Sequence, residues 1–251
     1  MALRSRKKVF LSDTPWKTLP WSQHDKTPRD HLIDILIDIP TLFEGLDNML
    51  ASNDLIQREQ LRRRVWNGYL QLDRLLVDWH EKCAPTEDMS PWHLDGTKIP
   101  QTITPGDLVA AHLITLYWTT CIILYGLVRD VLLSSRTDSP RLLSPCDNES
   151  TDKDPSTACR KLIKTLPIFF HPDAGTFRVH LATFPMSVAV IHLTLAVKPE
   201  DMLEERGIFE WCLQKPECLT IRKFIASMRP EKNVGKFTAT AIQQNAAAPR
   251  H

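Results

Sequence analysis

Glycine is scarce in this sequence, with 8 residues in 251. The glycine-built turns that cradle phosphates or expose nucleophiles are missing with it. There is no G-x-x-x-x-G-K-[ST] loop, no G-x-G-x-x-G fingerprint and no G-x-S-x-G elbow. Their absence excludes the common mononucleotide, dinucleotide and serine-hydrolase signatures. Paired cysteines are missing too. The six cysteines stand at 83, 121, 146, 159, 212 and 218, with no C-x-x-C, and only Cys212 and Cys218 are close. A structural zinc site needs ligands paired a few residues apart, so that each half closes on the metal at low entropic cost. A disulfide framework is not expected in a chain this long without a secretory leader. The basic N-terminus, MALRSRKKVFLSDTPW, is followed by no apolar stretch and is not expected to be such a leader. The nine histidines are dispersed, and none meets another at i+3 or i+4.

Excess charge of one sign is also lacking. The net charge of +1 provides no global field for nucleic acid or anionic lipid. Alternation of apolar and polar residues, the mark of half-buried strands, is rare, whereas apolar residues at helical spacing are common. With 43% hydrophobic and 24% charged residues, the chain has the composition of a water-soluble globular protein. The expected fold is all-α: a single multi-helix domain with two long buried apolar helices.

Thr27-Pro28-Arg29-Asp30 opens the first clear helix. Thr27 is placed to cap it, Pro28 suits its first turn and Asp30 stands where a capping-box acid belongs. DHLIDILIDIPTLFEGLDNML continues it, kinked or divided at Pro40. A second helix is predicted from Leu55 to His80, with Leu61, Val65, Tyr69, Leu72, Leu76 and Trp79 on one face. KCAPTEDMSPWHLDGTKIPQTI reads as a proline-bearing loop. Thr104-Pro105-Gly106-Asp107 then repeats the start signal. The Ser-, Asp- and Pro-rich stretch 134–157 reads as a mobile surface insertion. A short helix from Ala158 to Phe170 is expected to bend or end at Pro167. A second long apolar run, Leu181 to Val197, is interrupted by Pro185. Amphipathic helices near Pro199–Gln214 and Glu217–Met228 precede a tail, 231–251, that reads as disordered.

Val109 to Val128 passes twenty residues without an Asp, Glu, Lys or Arg. As a helix it would span roughly 30 Å, the thickness of a bilayer's hydrocarbon core. Its polar residues His112, Thr115 and Thr119 form a thin stripe opposite Ile114, Trp118, Cys121, Tyr125 and Val128. No cluster of Lys or Arg at either end would set an orientation in a membrane. Amphipathic neighbours need a partner to cover them, so the helix is expected to be buried in protein, with no membrane contact.

Three constellations invite a chemical reading. Asp30, Asp34 and Asp38 place one carboxylate per turn on one helix face, as magnesium-binding helices of prenyl-chain enzymes do. The paired aspartates and second acidic motif of those enzymes are missing, so a solvated face is expected. Arg62-Arg63-Arg64 spreads around a helix, with Glu59 placed to pair with Arg63, and is likewise expected to be solvated. Arg4, Arg6, Lys7 and Lys8 make a short basic tail, 1–14, with the composition of a nuclear import signal. His171-Pro172 sits in a turn and is read as turn-forming. The sequence therefore assigns no catalytic, cofactor-binding or metal-ligating residue.

Five stretches taken in order, "PWKTLPW", "HLIDILIDIPTLFEGLD", "AAHLITLYWTTCIILY", "CRKLIKTLPIFFHPDAGT" and "FPMSVAVIHL", resemble the regulatory domain of fungal zinc binuclear cluster transcription factors. The resemblance spans residues 15 to 228. It implies an all-helical regulatory domain at 15–230, nuclear, serving pathway-specific regulators such as those of secondary-metabolite gene clusters. The six-cysteine zinc module of that family has no counterpart here, and the matched residues carry packing rather than catalysis. The expectation is a truncated or DNA-binding-module-less regulator. It would not be an enzyme, would need no cofactor or metal, and would make no sequence-specific DNA contact of its own. Its partners would be other proteins or a second copy of itself, with room for a small apolar effector. The competing expectation is an all-α enzyme or carrier for an isoprenoid or other apolar metabolite, with Asp30, Asp34 and Asp38 ringing its cavity.

Overall fold

The computed structural model describes residues 6–84, 102–129, 153–175, 178–195, 198 and 200–227, and the regular structure among them is entirely helical. Residues 85–101 of the loop expected at 82–103, residues 134–152 of the insertion expected at 134–157 and the tail at 231–251 lie outside the described residues. The chain divides into two compact units. One comprises Met1–Pro85 with Thr120–Pro155, the other Thr86–Thr119 with Ser156–His251.

The first unit is built on a helical hairpin. Helix α1 (Thr14–Thr18) precedes α2 (Pro28–Ala51) and α3 (Leu55–Cys83). The capping box at the start of α2 forms as the sequence predicts. Thr27 Oγ1 accepts from the Asp30 amide at 3.3 Å, and the Asp30 carboxylate accepts from the Thr27 amide at 3.0 Å. Pro40 does not divide α2, which runs through it unbroken. A proline removes one backbone hydrogen bond, and Pro40 is buried in a helix whose other turns are held by packing. At the hairpin turn, Asp54 accepts from the amides of Ile56 and Gln57 to cap α3. The Arg58 guanidinium donates back to the Ser52 carbonyl.

The predicted α3 stripe becomes part of the hairpin core: Val65, Tyr69, Leu72, Leu76 and Trp79 are buried, while Leu61 at its start is half-buried. Helix α2 contributes buried Leu32, Ile35, Ile39, Leu42, Phe43, Leu46 and Met49. Truncating one such leucine to alanine costs about 2–5 kcal/mol. Two glycines allow the helices to approach. A Cβ on Gly45 would stand 2.6 Å from Val65 Cγ2, and one on Gly68 2.8 Å from Leu42 Cδ2. The Trp79 indole donates to the Pro28 carbonyl at 2.6 Å, tying the far end of the hairpin.

Helix α4 (Pro105–Cys121) opens with the second capping box, Thr104 and Asp107. It continues as a π-helical stretch, Ile122–Arg129, where the periodicity predicts ordinary α-helix to Val128. Thr115 and Thr119 are buried without a polar stripe of their own. Their hydroxyls donate to the His112 and Thr115 carbonyls, a local bond that satisfies a buried hydroxyl within its own helix. The segment Pro105–Gly126 is long and apolar enough to cross a membrane, and 78% of its most apolar window is buried inside the protein.

In the second unit, α5 (Pro155–Thr165) ends just before Pro167, as expected, and passes into a 3₁₀ turn, Leu166–Phe170. This LPIFF turn is wholly buried and packs on α6 (Arg178–Leu195) and α7 (Leu203–Gln214). Helix α8 (Leu219–Ser227) closes the unit against α6. Helix α6 is not broken at Pro185. Its buried Ala182, Met186, Ala189 and Leu193 repeat at helical spacing on either side of the proline. The α6–α7 connection holds Met202 at φ 57°, a left-handed conformation costing a side-chain-bearing residue about 1–2 kcal/mol. Arg206 stabilises it by donating to the carbonyls of Leu193, Lys198 and Asp201.

Candidate functional site

Residues 6–14 of the expected basic tail do not stand off from the protein, and residues 1–5, with Arg4, lie outside the described residues. Residues 6–26 run along α2 in the opposite direction, and basic groups of this strap meet a row of acids. Arg6 grips the Asp47 carboxylate through Nε at 2.9 and 3.1 Å and through Nη2 at 2.7 Å. Its guanidinium also lies 4.7 Å from the centre of the Phe43 ring, a cation–π arrangement. The Lys8 amide donates to Glu44 at 3.0 Å. Lys17 donates to the Asp38 carboxylate at 2.6 Å and the Asp34 carbonyl at 3.3 Å, and Lys26 pairs with Asp34. Arg6 holds the Asp47 carboxyl below the usual carboxylate range, and the Thr27 hydroxyl does the same for Asp30.

Asp30, Asp34 and Asp38 are therefore each engaged by a different neighbour, so they form neither a free solvated face nor a convergent set. Asp30 belongs to the capping box, Asp34 to Lys26 and Asp38 to Lys17. Glu44 and Asp47 extend the acidic row, and sequence reasoning missed them. Six and nine residues after Asp38, they do not continue the i, i+4 series of Asp30, Asp34 and Asp38, so that spacing does not point to them. Their partners Arg6, Lys8, Lys17 and Lys26 follow no period and could not be paired from sequence alone.

The other side of the strap carries apolar side chains. Phe10 is 63% exposed, Trp16 53% and Leu19 69%, and Phe10 meets Trp16 edge to face at 5.4 Å between ring centres. Leu11 is also exposed, and a second exposed apolar group, Leu50, Leu55 and Ile56, sits at the hairpin turn. No family model, curated protein or solved structure matches this chain. Its own geometry carries what can be said of function.

The arginine run also departs from a solvated face. Arg62 is buried and, together with Arg63, shares the Glu59 carboxylate, at 2.7 and 2.9 Å. The Arg62 hydrogen bond, with help from Arg63 and opposed by burial, lowers the Glu59 pKa from 4.5 to about 2. Arg63 and Arg64 are exposed, and the Glu59 pairs link successive turns within α3 itself.

A buried polar centre joins distant parts of the first unit. Asp73 on α3 accepts from the Tyr125 hydroxyl at 2.9 Å and from Lys153 at 2.7 Å. Tyr125 reaches it from the π-helical stretch, whose wider winding redirects side chains relative to an α-helix. In the second unit, Ser156 Oγ lies 3.3 Å from His192 Nε2. The two residues stand far apart in sequence, so no motif signals the contact. His171 accepts from the Asp173 amide through Nδ1 and shapes its turn, as expected.

Cys121, Cys159, Cys212 and Cys218 are buried thiols that form no disulfide. Burial pushes Cys159 up to about 12 and Cys218 up to about 11, and raises Cys212 as well. Such thiols are poor nucleophiles and poor metal ligands at neutral pH. Among the described residues, no group of three or more His, Cys, Asp or Glu side chains is placed to hold a metal ion.

Proposed function

We propose that this chain is a helical transcription-regulatory module that works through protein contacts. This is the role implied by its resemblance to the regulatory domain of fungal zinc binuclear cluster transcription factors. The observation that carries the reading is the strap. Its basic side is engaged by α2, while Phe10, Leu11, Trp16 and Leu19 face outward. A partner protein, or a second copy of the chain, docks on that apolar face. The protein acts in the nucleus, and another module supplies the contact to DNA. Sequence-specific DNA binding needs a positive surface to release counterions and a rigid element to reach base edges. The net charge of +1 and the engagement of Arg6, Lys17, Lys26, Arg62 and Arg63 by acids leave little of the former.

Tethering tests the proposal. Fused to an unrelated DNA-binding domain, the full chain should raise or lower transcription of a reporter bearing that domain's site. The untethered chain should not retain labelled DNA at physiological salt. A tethered chain with no effect on the reporter, or salt-resistant DNA binding by the chain alone, would contradict it.

A further inference from the structure

The dipeptide Thr-Pro occurs three times, at Thr14-Pro15, Thr27-Pro28 and Thr104-Pro105. Two of the three threonines are committed to helix starts. Thr27 Oγ1 donates to Asp30 at 2.6 Å, Thr104 Oγ1 donates to Asp107 at 2.8 Å, and each accepts an amide in return. At the third, the residue three positions on is Lys17, not an acid. Thr14 is itself the first residue of α1, whose N-cap residue Asp13 supplies no side-chain cap, and the Thr14 hydroxyl has no hydrogen-bond partner among the described residues. Thr14 and Pro15 are both exposed. Helix α1 is only five residues long, too short to hold itself closed, so the extended backbone that a modifying enzyme grips is easily reached.

We propose that Thr14 is the acceptor of a proline-directed protein kinase, and that its phosphate takes Lys17 from Asp38 and loosens the strap. The Thr14 hydroxyl oxygen attacks the terminal phosphorus of a nucleoside triphosphate. The new O–P bond forms as the bond to the leaving diphosphate breaks. The hydroxyl proton passes to the kinase's base, and a nucleoside diphosphate departs. The phosphate carries about −1.5 to −2 charges at neutral pH. It stands three residues before Lys17, within reach on a helical turn, and beside Asp13, which pairs with Lys8. It also adds negative charge to a strap held on an acidic row, Asp34, Asp38, Glu44 and Asp47. Attraction for Lys17 and repulsion from α2 act in the same direction. Thr27 and Thr104 offer no such outcome, since modifying either requires opening a formed capping box.

The experiment uses the full chain, a proline-directed kinase and ATP, with the sites mapped by mass spectrometry. Thr14 should be modified at least about tenfold faster than Thr27 or Thr104, because its helix opens more readily. In the modified protein, limited trypsin should cut after Lys8 and Lys26 about two- to fivefold faster, the effect of losing one partly exposed ion pair. Thr14→Ser should keep both results and Thr14→Ala should abolish both. Lys17→Met should speed the same cuts without kinase and leave little further change on modification. Preferred modification of Thr27 or Thr104, or no incorporation at Thr14, would overturn the assignment of the site. Full modification of Thr14 with unchanged cleavage would overturn the switch.

Discussion

Gly45→Ala is the sharpest test of the hairpin. The added methyl would sit 2.6 Å from Val65 Cγ2, more than 1 Å inside an ordinary carbon contact. Val65 is branched at Cβ, buried and on the facing helix, so it has no spare rotamer in which to withdraw. Overpacking of this kind lies at the upper end of its range, about 3 kcal/mol. Alanine recovers about 1 kcal/mol of helix propensity, so the net loss is about 2 kcal/mol, or roughly 4–8 °C in Tm for a chain of this size. Gly68→Ala is the control. Its methyl meets only the far end of Leu42, 2.8 Å away, which can turn aside, so propensity and clash should cancel to within about 0.5 kcal/mol. Val65→Ala alone should cost about 2 kcal/mol through lost burial. In the double variant the clash is gone, so Gly45→Ala/Val65→Ala should be about 3 kcal/mol more stable than the sum of the single losses. Urea unfolding followed by far-UV circular dichroism gives all four stabilities. A Gly45→Ala protein as stable as the parent, or strictly additive losses, would refute the close approach of α2 and α3.

Other outcomes follow from the polar groups. Because the folded Glu59 pKa is depressed from 4.5 to about 2, its stabilisation is fully present above about pH 4.5 and is lost as pH falls toward 2. Allowing for partial exposure this amounts to about 1 kcal/mol. Glu59→Gln should remove that part of the acid dependence of unfolding, and an unchanged acid profile would count against the Arg62 pairing. Asp73→Ala should cost about 3 kcal/mol and Tyr125→Phe about 1 kcal/mol. Equal small losses in urea unfolding would deny that Asp73 is the hub of the buried centre. Cys159, Cys212 and Cys218, with raised pKa values, should react with a thiol reagent at pH 7.5 only on unfolding. Immediate modification of any of them in the native protein, located by peptide mapping, would show that site to be open.

The elements that periodicity and capping encode were readable before the structure. Thr27 with Asp30, and Thr104 with Asp107, announce helix starts because the capping chemistry is local. The Val65–Trp79 stripe announces its buried face because packing repeats every turn. Pro167 ends its helix as expected, yet Pro40 and Pro185 do not, since tertiary packing holds the turns on either side of the missing hydrogen bond. The π-helical winding at 122–129 left no mark in a run of apolar residues that suits either helix. The strap was hidden for a different reason. Arg6 and Asp47, or Lys17 and Asp38, are far apart in sequence and meet only after α2 has formed. Local composition alone made the acids look like a solvated row and the bases like a free tail. Arg62 was legible after all: three residues before Val65 and seven before Tyr69, it shares the inward face of the stripe, which a reading of the three arginines as one run overlooks. Asp73, Tyr125 and Lys153 needed three separate segments brought together.

The most direct measurement of the proposed role is the tethered reporter with the strap's outer face removed. Trp16→Ala/Leu19→Ser leaves Arg6, Lys8, Lys17 and Lys26 in place and alters only exposed side chains, so its urea midpoint should match the parent's within about 0.5 kcal/mol. With folding matched, the variant should lose most of the reporter effect, as truncation of two aromatic or aliphatic anchors weakens a protein contact by at least about tenfold. A folded variant that regulates as well as the parent would contradict the claim that this surface is where the chain does its work.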